Sequence, residues 1–141
     1  CLWDKIIFKK IRAATGGRVW CLYSGSAPLS KDTIAFLKIC FSCPFQEGYG
    51  LTETLATSIT LPEDKVAGTV GGTTLNVELK LVDVPDMNYF SSDMRDGVNY
   101  PRGEICYRGP SVFVGYFWQP DKTAEAIDEE GWFHTGDVGE L

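Results

Sequence analysis

Residues 19–50, VWCLYSGSAPLSKDTIAFLKICFSCPFQEGYG, carry the pattern that decides the fold. Val19 to Tyr23 is a nearly continuous apolar run of β-formers, as a strand covered on both faces would show. Ser24-Gly25-Ser26-Ala27-Pro28-Leu29 breaks that run into a turn. Ser30 then stands as a helix cap, with Asp32 in the first turn, where the helix dipole favours negative charge. Ile34, Leu37 and Phe41 recur on one stripe of that helix. Pro44 stops it, and Phe45 begins a second short strand that the spacing ends in a turn at Gly48-Tyr49-Gly50. Strand, helix, strand is the order of a right-handed crossover, which makes the two strands parallel. Both glycine segments must then leave the sheet at its carboxyl edge, where open α/β sheets bind ligands.

Outward from this unit, Leu2, Ile6, Ile7, Ile11 and Ala14 fall at helical spacing, with Lys5, Lys9, Lys10 and Arg12 for the wet side, and Gly16-Gly17 closes the pattern. Beyond Thr54 the character changes. Alternation in Val77-Glu78-Leu79-Lys80-Leu81-Val82 predicts a half-exposed strand, and the polar, proline-bearing stretch from Val84 to Arg102 reads as a long surface excursion. Gly103 to Gly109 and Val112 to Phe117 are expected as strands, with a short helix from Pro120 to about Ile127 and a turn at Asp128-Glu129-Glu130-Gly131. The expected fold class is α/β: a parallel β-α-β portion over residues 1–58, followed by a β-rich, barrel-like portion over 59–141.

The 141 residues, 44% hydrophobic, suffice for one core, but the chain opens inside an apparent amphipathic helix and stops just after a loaded motif. It therefore reads as a segment of something larger. Thirteen basic against nineteen acidic residues leave a formal charge of −6, the wrong sign for coating phosphate backbones, so nucleic acid is not an expected partner. No apolar run approaches the roughly 20 residues that span a bilayer, and the start lacks signal-peptide regions. Five dispersed cysteines, an odd number, argue for a reducing compartment rather than a disulfide framework. Cys40 and Cys43 have the gap of a redox or zinc pair, but no second pair follows and His134 is the sole histidine.

The chemistry concentrates in Gln46-Glu47-Gly48-Tyr49-Gly50-Leu51-Thr52-Glu53. Its glycines let a ligand approach the main chain, Tyr49 offers a flat face with a polar tip, and Thr52 and Glu53 offer hard oxygens. A nucleotide fits that set: a base on the ring, phosphates near the hydroxyl, magnesium on the carboxylate. Alone, Tyr49 would more often be a core tyrosine and Glu53 a solvated charge. Thr135-Gly136-Asp137 follows Trp132-Phe133 and places a short carboxylate just past a strand and a tight turn, suited to a ribose diol or simply to the turn itself. His134 is expected to be structural, and Glu104 and Arg108, four apart on one strand face, are expected to pair.

The order of four motifs carries more than any one of them: Gly25 to Leu29; Gly48 to Glu53; Arg102-Gly103-Glu104-Ile105 with Arg108-Gly109-Pro110 and Gly115-Tyr116; and Gly131 to Asp137. Together they resemble the adenylate-forming superfamily of acyl-CoA synthetases, luciferases and peptide-synthetase adenylation domains, along essentially the whole chain. Leu22 to Ser30, Phe41 to Thr54 and the excursion before Pro101-Arg102-Gly103-Glu104 look most like eukaryotic-type long-chain fatty acid CoA ligases.

That resemblance implies part of a large N-terminal AMP-binding domain, with ATP, Mg2+ and coenzyme A as cofactor and co-substrates and a fatty acid as the acid partner. It implies that Gly25, Ser26, Ala27 and Pro28 lie beside the adenine and Tyr49 against its face. Gly48, Gly50 and Leu51 would line the approach, Thr52 would meet the α-phosphate, Glu53 would hold magnesium and Asp137 the ribose hydroxyls. Glu47 would also contact the nucleotide, though it stands where many members carry Gln. The family's phosphate loop is expected before residue 1 and its catalytic lysine after Leu141, so these 141 residues alone are expected to be inactive; measurable acyl-CoA formation by them would overturn that. The family also implies an intracellular place, cytoplasmic or on the cytosolic face of endoplasmic reticulum, peroxisome or mitochondrion, with any membrane association made through parts outside this segment. Two alternatives stay open: an enzyme adenylating another acid, and a non-catalytic adenylate-binding relative.

Overall fold

A computed structural model describes residues 2–141, which form two compact units. One comprises the chain up to Gly50 together with Ala56–Thr74; the other comprises Leu51–Leu55 with Leu75–Leu141.

In the first unit a π-helical turn, Asp4–Phe8, runs into α1 (Lys9–Ala14). Arg12 fixes this segment by donating to Asp4 Oδ1 at 2.8 Å and to the Cys40 carbonyl at 2.9 Å. The predicted apolar stripe is largely uncovered: Leu2, Ile6, Ile7 and Ala14 are exposed, and Ile11 is half-buried. After β1 (Leu22–Ser24), α2 (Lys31–Phe41) starts as expected, the Ser30 hydroxyl accepting from the Thr33 amide at 3.2 Å. Ile34 and Cys40 are its fully buried residues, while Leu37 and Phe41 are half-buried. The helix returns the chain to β2 (Phe45–Leu51), which pairs parallel with β1 in the register Leu22↔Phe45, Tyr23↔Gln46, Ser24↔Glu47. The β-α-β crossover is therefore present.

Three expectations change here. The first strand is shorter than 19–23 and is not covered on both faces, for Trp20 and Tyr23 are exposed. It lies at the sheet edge, with β2 on one side only among the described residues (order β1-β2-β3-β4). The Gly48-Tyr49-Gly50 segment is not a turn: β2 continues through it to Leu51 and reverses at 52–54 into β3 (Leu55–Ile59), followed by β4 (Gly72–Thr73). Pairing with β3 holds the segment extended. Gln46, buried, donates to the Thr60 carbonyl, and the Glu47 amide donates to Thr60 Oγ1 at 2.9 Å, so the polar groups of this inner strand are satisfied.

The second unit is built on β5 (Glu78–Val82), β8 (Arg102–Arg108) and β9 (Phe133–Glu140), antiparallel in the order β5-β8-β9. The sheet is open, with β5 and β9 as its edges, so the barrel-like form is corrected: three strands are too few to close on themselves. Cys106, Tyr107 and Phe133 are its most buried residues. Between β5 and β8 the excursion carries structure of its own, a 3-10 turn at Pro85–Met87 and the hairpin β6 (Met94–Arg95) and β7 (Val98–Asn99). Asp96 and Gly97, both at positive φ (53° and 80°), form its tight turn, an Asp-Gly signal that polarity had masked. Arg102 anchors the base of the excursion, bound to Asp93 at 2.7 Å and stacked over Tyr89.

The stretch from Val112 to Phe117 is not a strand. Phe113 meets Tyr116 edge-on at 4.8 Å and Phe133 at 5.4 Å, while Phe117 is exposed, before α3 (Pro120–Ala126). Among the described residues, no helix is long and apolar enough to cross a membrane.

Candidate functional site

In the first unit the parallel register carries Gly25 to the side of Gly48, and a Cβ built on Gly25 would sit 3.4 Å from the Gly48 carbonyl. A Cβ on Gly48 would sit 3.2 Å from the Ser58 carbonyl, tighter than ordinary contact. Glycine serves close approach of three backbone segments at this point rather than an unusual backbone angle. Ser26, Ala27 and Pro28 are exposed in the turn that follows β1, and Ser26 takes φ 68°. Tyr49 is half-buried on β2, its carbonyl accepting from Thr57 Oγ1 at 3.4 Å. Glu47 is committed within the unit, its carboxylate accepting the Gly68 amide at 3.1 Å.

In the second unit Leu51 to Leu55 form a tight reversal. The buried Thr54 hydroxyl accepts from the Leu51 amide at 3.1 Å while the Thr54 amide donates to the Leu51 carbonyl at 3.1 Å. This locks the two residues between them, Thr52 exposed and Glu53 half-buried. The Glu53 carbonyl accepts the Phe113 amide at 2.7 Å, and Glu53 Oε1 accepts the Tyr116 hydroxyl at 2.9 Å. That bond raises the Tyr116 hydroxyl above the usual phenol range, because the carboxylate it serves disfavours a phenolate. Tyr116 was read as part of a glycine-punctuated strand; a partner 63 residues away follows no local spacing.

Asp137 does not stand past the strand but inside β9, at an irregularity of it. Glu104 pairs with Val138 and Cys106 with His134, so Thr135, Gly136 and Asp137 together oppose the single residue Ile105. The segment is a bulge with Gly136 at φ 73°, and Asp137 is exposed on it. Thr135 Oγ1 donates to the Ile105 carbonyl at 2.8 Å and accepts the Asp137 amide at 3.1 Å.

Glu104 does not pair with Arg108. Arg108 reaches Glu78 on β5 and covers the Trp132 ring at 4.4 Å. Glu104 Oε2 lies 2.8 Å from His134 Nδ1, and Oε1 accepts the Gly136 amide at 3.1 Å. His134 Nε2 faces Asp128 at 3.5 Å, and Asp128 also meets Lys80 at 3.5 Å. The amides of Trp132 and Glu130, together with His134 and Lys80, hold the Asp128 carboxyl below its usual range, the Trp132 amide first. The structural role expected for His134 is thus what its neighbours give it. Glu104, Cys106 and His134 bring a carboxylate, a thiol and an imidazole ligand atom within 4.8 Å of one another. A cation there would have to displace the proton of the buried Cys106 thiol, which burial pushes up to about 11, and compete with the contacts that His134 Nδ1 makes to Glu104 Oε2 and Cys106 Sγ. The cluster is a hydrogen-bonded one.

Within the first unit, then, the structure joins Gly25 to Gly48. In the second it joins Glu53 to Tyr116 and ties the Asp137 bulge to Glu104.

Residues 3–117 match the family described as AMP-binding enzyme, and the chain belongs to that family. The protein is 50% identical over 139 residues, 98% of its length, to fatty acyl-CoA synthetase A of Dictyostelium discoideum. It is 49% identical over 97% of its length to the peroxisomal long chain acyl-CoA synthetase 7 of Arabidopsis thaliana, and 45% identical over 98% to the human long-chain-fatty-acid–CoA ligase 1. It covers 19–20% of those proteins, about a fifth of their length. Among solved structures, the A domain of the carboxylic acid reductase of Segniliparus rugosus, in complex with AMP and a carboxylic acid, superposes with a TM-score of 0.78 at 35% identity. That match covers 97% of this chain and 20% of that one. Apo MatB from Rhodopseudomonas palustris gives 0.72 at 32% identity over 91% of this chain and 24% of that chain. The fold is that of adenylation domains.

Proposed function

We propose that this chain is part of a long-chain fatty acid CoA ligase. Such an enzyme joins a fatty acid carboxylate to the α-phosphorus of ATP with loss of pyrophosphate, then transfers the acyl group to the thiol of coenzyme A with release of AMP. The observation that carries this reading is identity of 45–50% to acyl-CoA synthetases over 97–98% of the chain, which takes in both the Gly25–Gly48 contact and the Asp137 bulge.

In this reading Gly25, Ser26, Ala27 and Pro28 border the adenine, Tyr49 packs on its face, and Gly48, Gly50 and Leu51 leave room beside it. Thr52 donates to the α-phosphate and Asp137 accepts from the ribose hydroxyls. The donor set fits a magnesium ion: Glu53 is a half-buried carboxylate with one oxygen held by Tyr116, and carboxylate oxygen is the ligand magnesium takes. Magnesium, when bound, would offset the charge that builds on the phosphates as pyrophosphate leaves. The chain's own part is positional. Thr54 fixes the reversal that aims Thr52 and Glu53, and Tyr116 restricts the Glu53 carboxylate to one setting before substrate arrives. Glu47, engaged by Gly68, adds to the frame of β2 rather than to the nucleotide.

The test is pyrophosphate release by the whole protein with ATP, Mg2+ and acids of increasing length. Turnover rising toward long alkyl acids is expected; preference for an amino or aryl acid, or none at all, would sink the reading. We also place the protein inside the cell, on the thiol-rich composition and on relatives such as the peroxisomal synthetase of Arabidopsis. Recovery of the tagged protein in the medium would refute that placement.

A further inference from the structure

We propose that Glu104 is a positioning residue for the nucleotide, acting through the bulge that presents Asp137; this rests on the ribose reading of Asp137. Packing does not fix the bulge: a Cβ built on Gly136, at its apex, finds nothing within 4 Å. Hydrogen bonds fix it, and two of those that reach across from β8 come from the Glu104 carboxylate. Its Oε2 takes His134 Nδ1 at the foot of the bulge at 2.8 Å, and its Oε1 takes the Gly136 amide at the apex at 3.1 Å. Both contacts follow from the register. Glu104 and Cys106 lie on one face of β8, and opposite them Val138 and His134 flank the three residues of the bulge. A carboxylate at this position spans the gap between them.

The clamp is braced from behind. His134 turns its other nitrogen to Asp128, itself held by the Trp132 amide at 2.8 Å and by Lys80. The ring is thus held between two carboxylates, and Glu104 stays aimed at the Gly136 amide. Thr135 Oγ1 closes the remaining side through the Ile105 carbonyl and the Asp137 amide. The bulge is thus tied at His134, Thr135, Gly136 and the Asp137 amide. The sequence hides this arrangement because Glu104 and Arg108 share a face and suggest a simple ion pair.

The experiment compares Glu104→Ala, Glu104→Gln and Asp137→Ala in the whole protein. It measures KM for ATP, fatty acid and coenzyme A, the preference for ATP over 2′-deoxy-ATP and 3′-deoxy-ATP, and amide exchange of residues 134–138 without nucleotide. Glu104→Ala is expected to raise KM for ATP by on the order of tenfold, the scale of one charge-assisted hydrogen bond. It should also flatten the preference for ATP over its deoxy analogues, leave the other two KM values in place and speed exchange at 134–138. Glu104→Gln keeps an acceptor for the Gly136 amide and is expected to restore most of the preference. A Glu104→Ala enzyme that loses melting temperature but keeps full discrimination against deoxy-ATP overturns the proposal. If Asp137→Ala itself leaves discrimination intact, the ribose reading fails; the exchange measurement then still decides whether Glu104 holds the bulge.

Discussion

Replacing Tyr116 by Phe removes one oxygen and keeps the ring, so it isolates the bond to Glu53. The ring has its own anchor, the edge-on contact with Phe113 at 4.8 Å, and the Tyr116 amide keeps its bond to Thr123 Oγ1 at 2.9 Å. The backbone should therefore stay where it is. What is lost is a 2.9 Å hydrogen bond to a carboxylate, worth about 1.5 to 3 kcal/mol in favourable settings. Glu53 is only half-buried, so water can replace part of it, and a cost of about 1 kcal/mol in stability is the reasonable figure. The functional effect should exceed that. With Oε1 released, the carboxylate samples several rotamers, and a loss of about 1.4 kcal/mol in the bound geometry is tenfold. Pyrophosphate release by the whole protein, titrated with Mg2+ at saturating ATP, should show a magnesium requirement raised roughly tenfold, with the melting transition shifted only slightly. An unchanged magnesium dependence would refute both the metal role of Glu53 and the holding role of Tyr116. A collapse in stability with normal magnesium dependence would make Tyr116 a packing residue.

Other perturbations follow from the same coordinates. Gly103→Ala places a Cβ 2.4 Å from the Val82 carbonyl in the centre of the β5-β8-β9 sheet, and backbone must move; a loss of about 2 kcal/mol or more is expected in denaturant unfolding. Ser30→Ala deletes the cap of α2 and should cost about 1 kcal/mol in the same assay, whereas Ser30→Asp should cost little. Asp93 is held below its usual carboxyl range, first by the Phe90 amide and then by Arg102. A depressed folded-state value stabilises above the unfolded one, near pH 4, and that contribution is lost as pH falls through the folded value. Hydrogen exchange across 84–102 should accordingly accelerate below about pH 4, and Asp93→Asn should remove the dependence. Cys106, fully buried with its thiol pushed up to about 11, should resist iodoacetamide at neutral pH until the protein is denatured; rapid labelling of the native form would contradict its burial.

The crossover was legible because it is local: a cap at Ser30, a stop at Pro44 and two short apolar runs determine α2 and its flanking strands within about thirty residues. The same local rules misplaced the glycine turn. Whether Gly48-Tyr49-Gly50 bends or extends is decided by β3, whose Thr57 and Thr60 bind Tyr49 and Glu47 from the next strand. Exposure of Trp20 and Tyr23 was equally out of reach, since covering a strand depends on neighbours and not on its own composition. At the candidate site, the residues of interest could be picked out, but not what holds them. Tyr116 on Glu53 and Glu104 on His134 and Gly136 are pairings across loops and strands, visible only once β8 and β9 have a register. The Asp-Gly turn at 96–97 is the opposite case, a signal that was present and passed over.

The register around Asp137 has a consequence for how such a sheet can change. Three residues face one there, an excess of two, and two is the period of a strand. Phe133 stays opposite Tyr107 below the bulge and Gly139 stays opposite Gly103 above it, with inward and outward faces unaltered. A short exposed turn can therefore enter or leave this strand as a two-residue insertion while the buried layer beneath it goes on unedited.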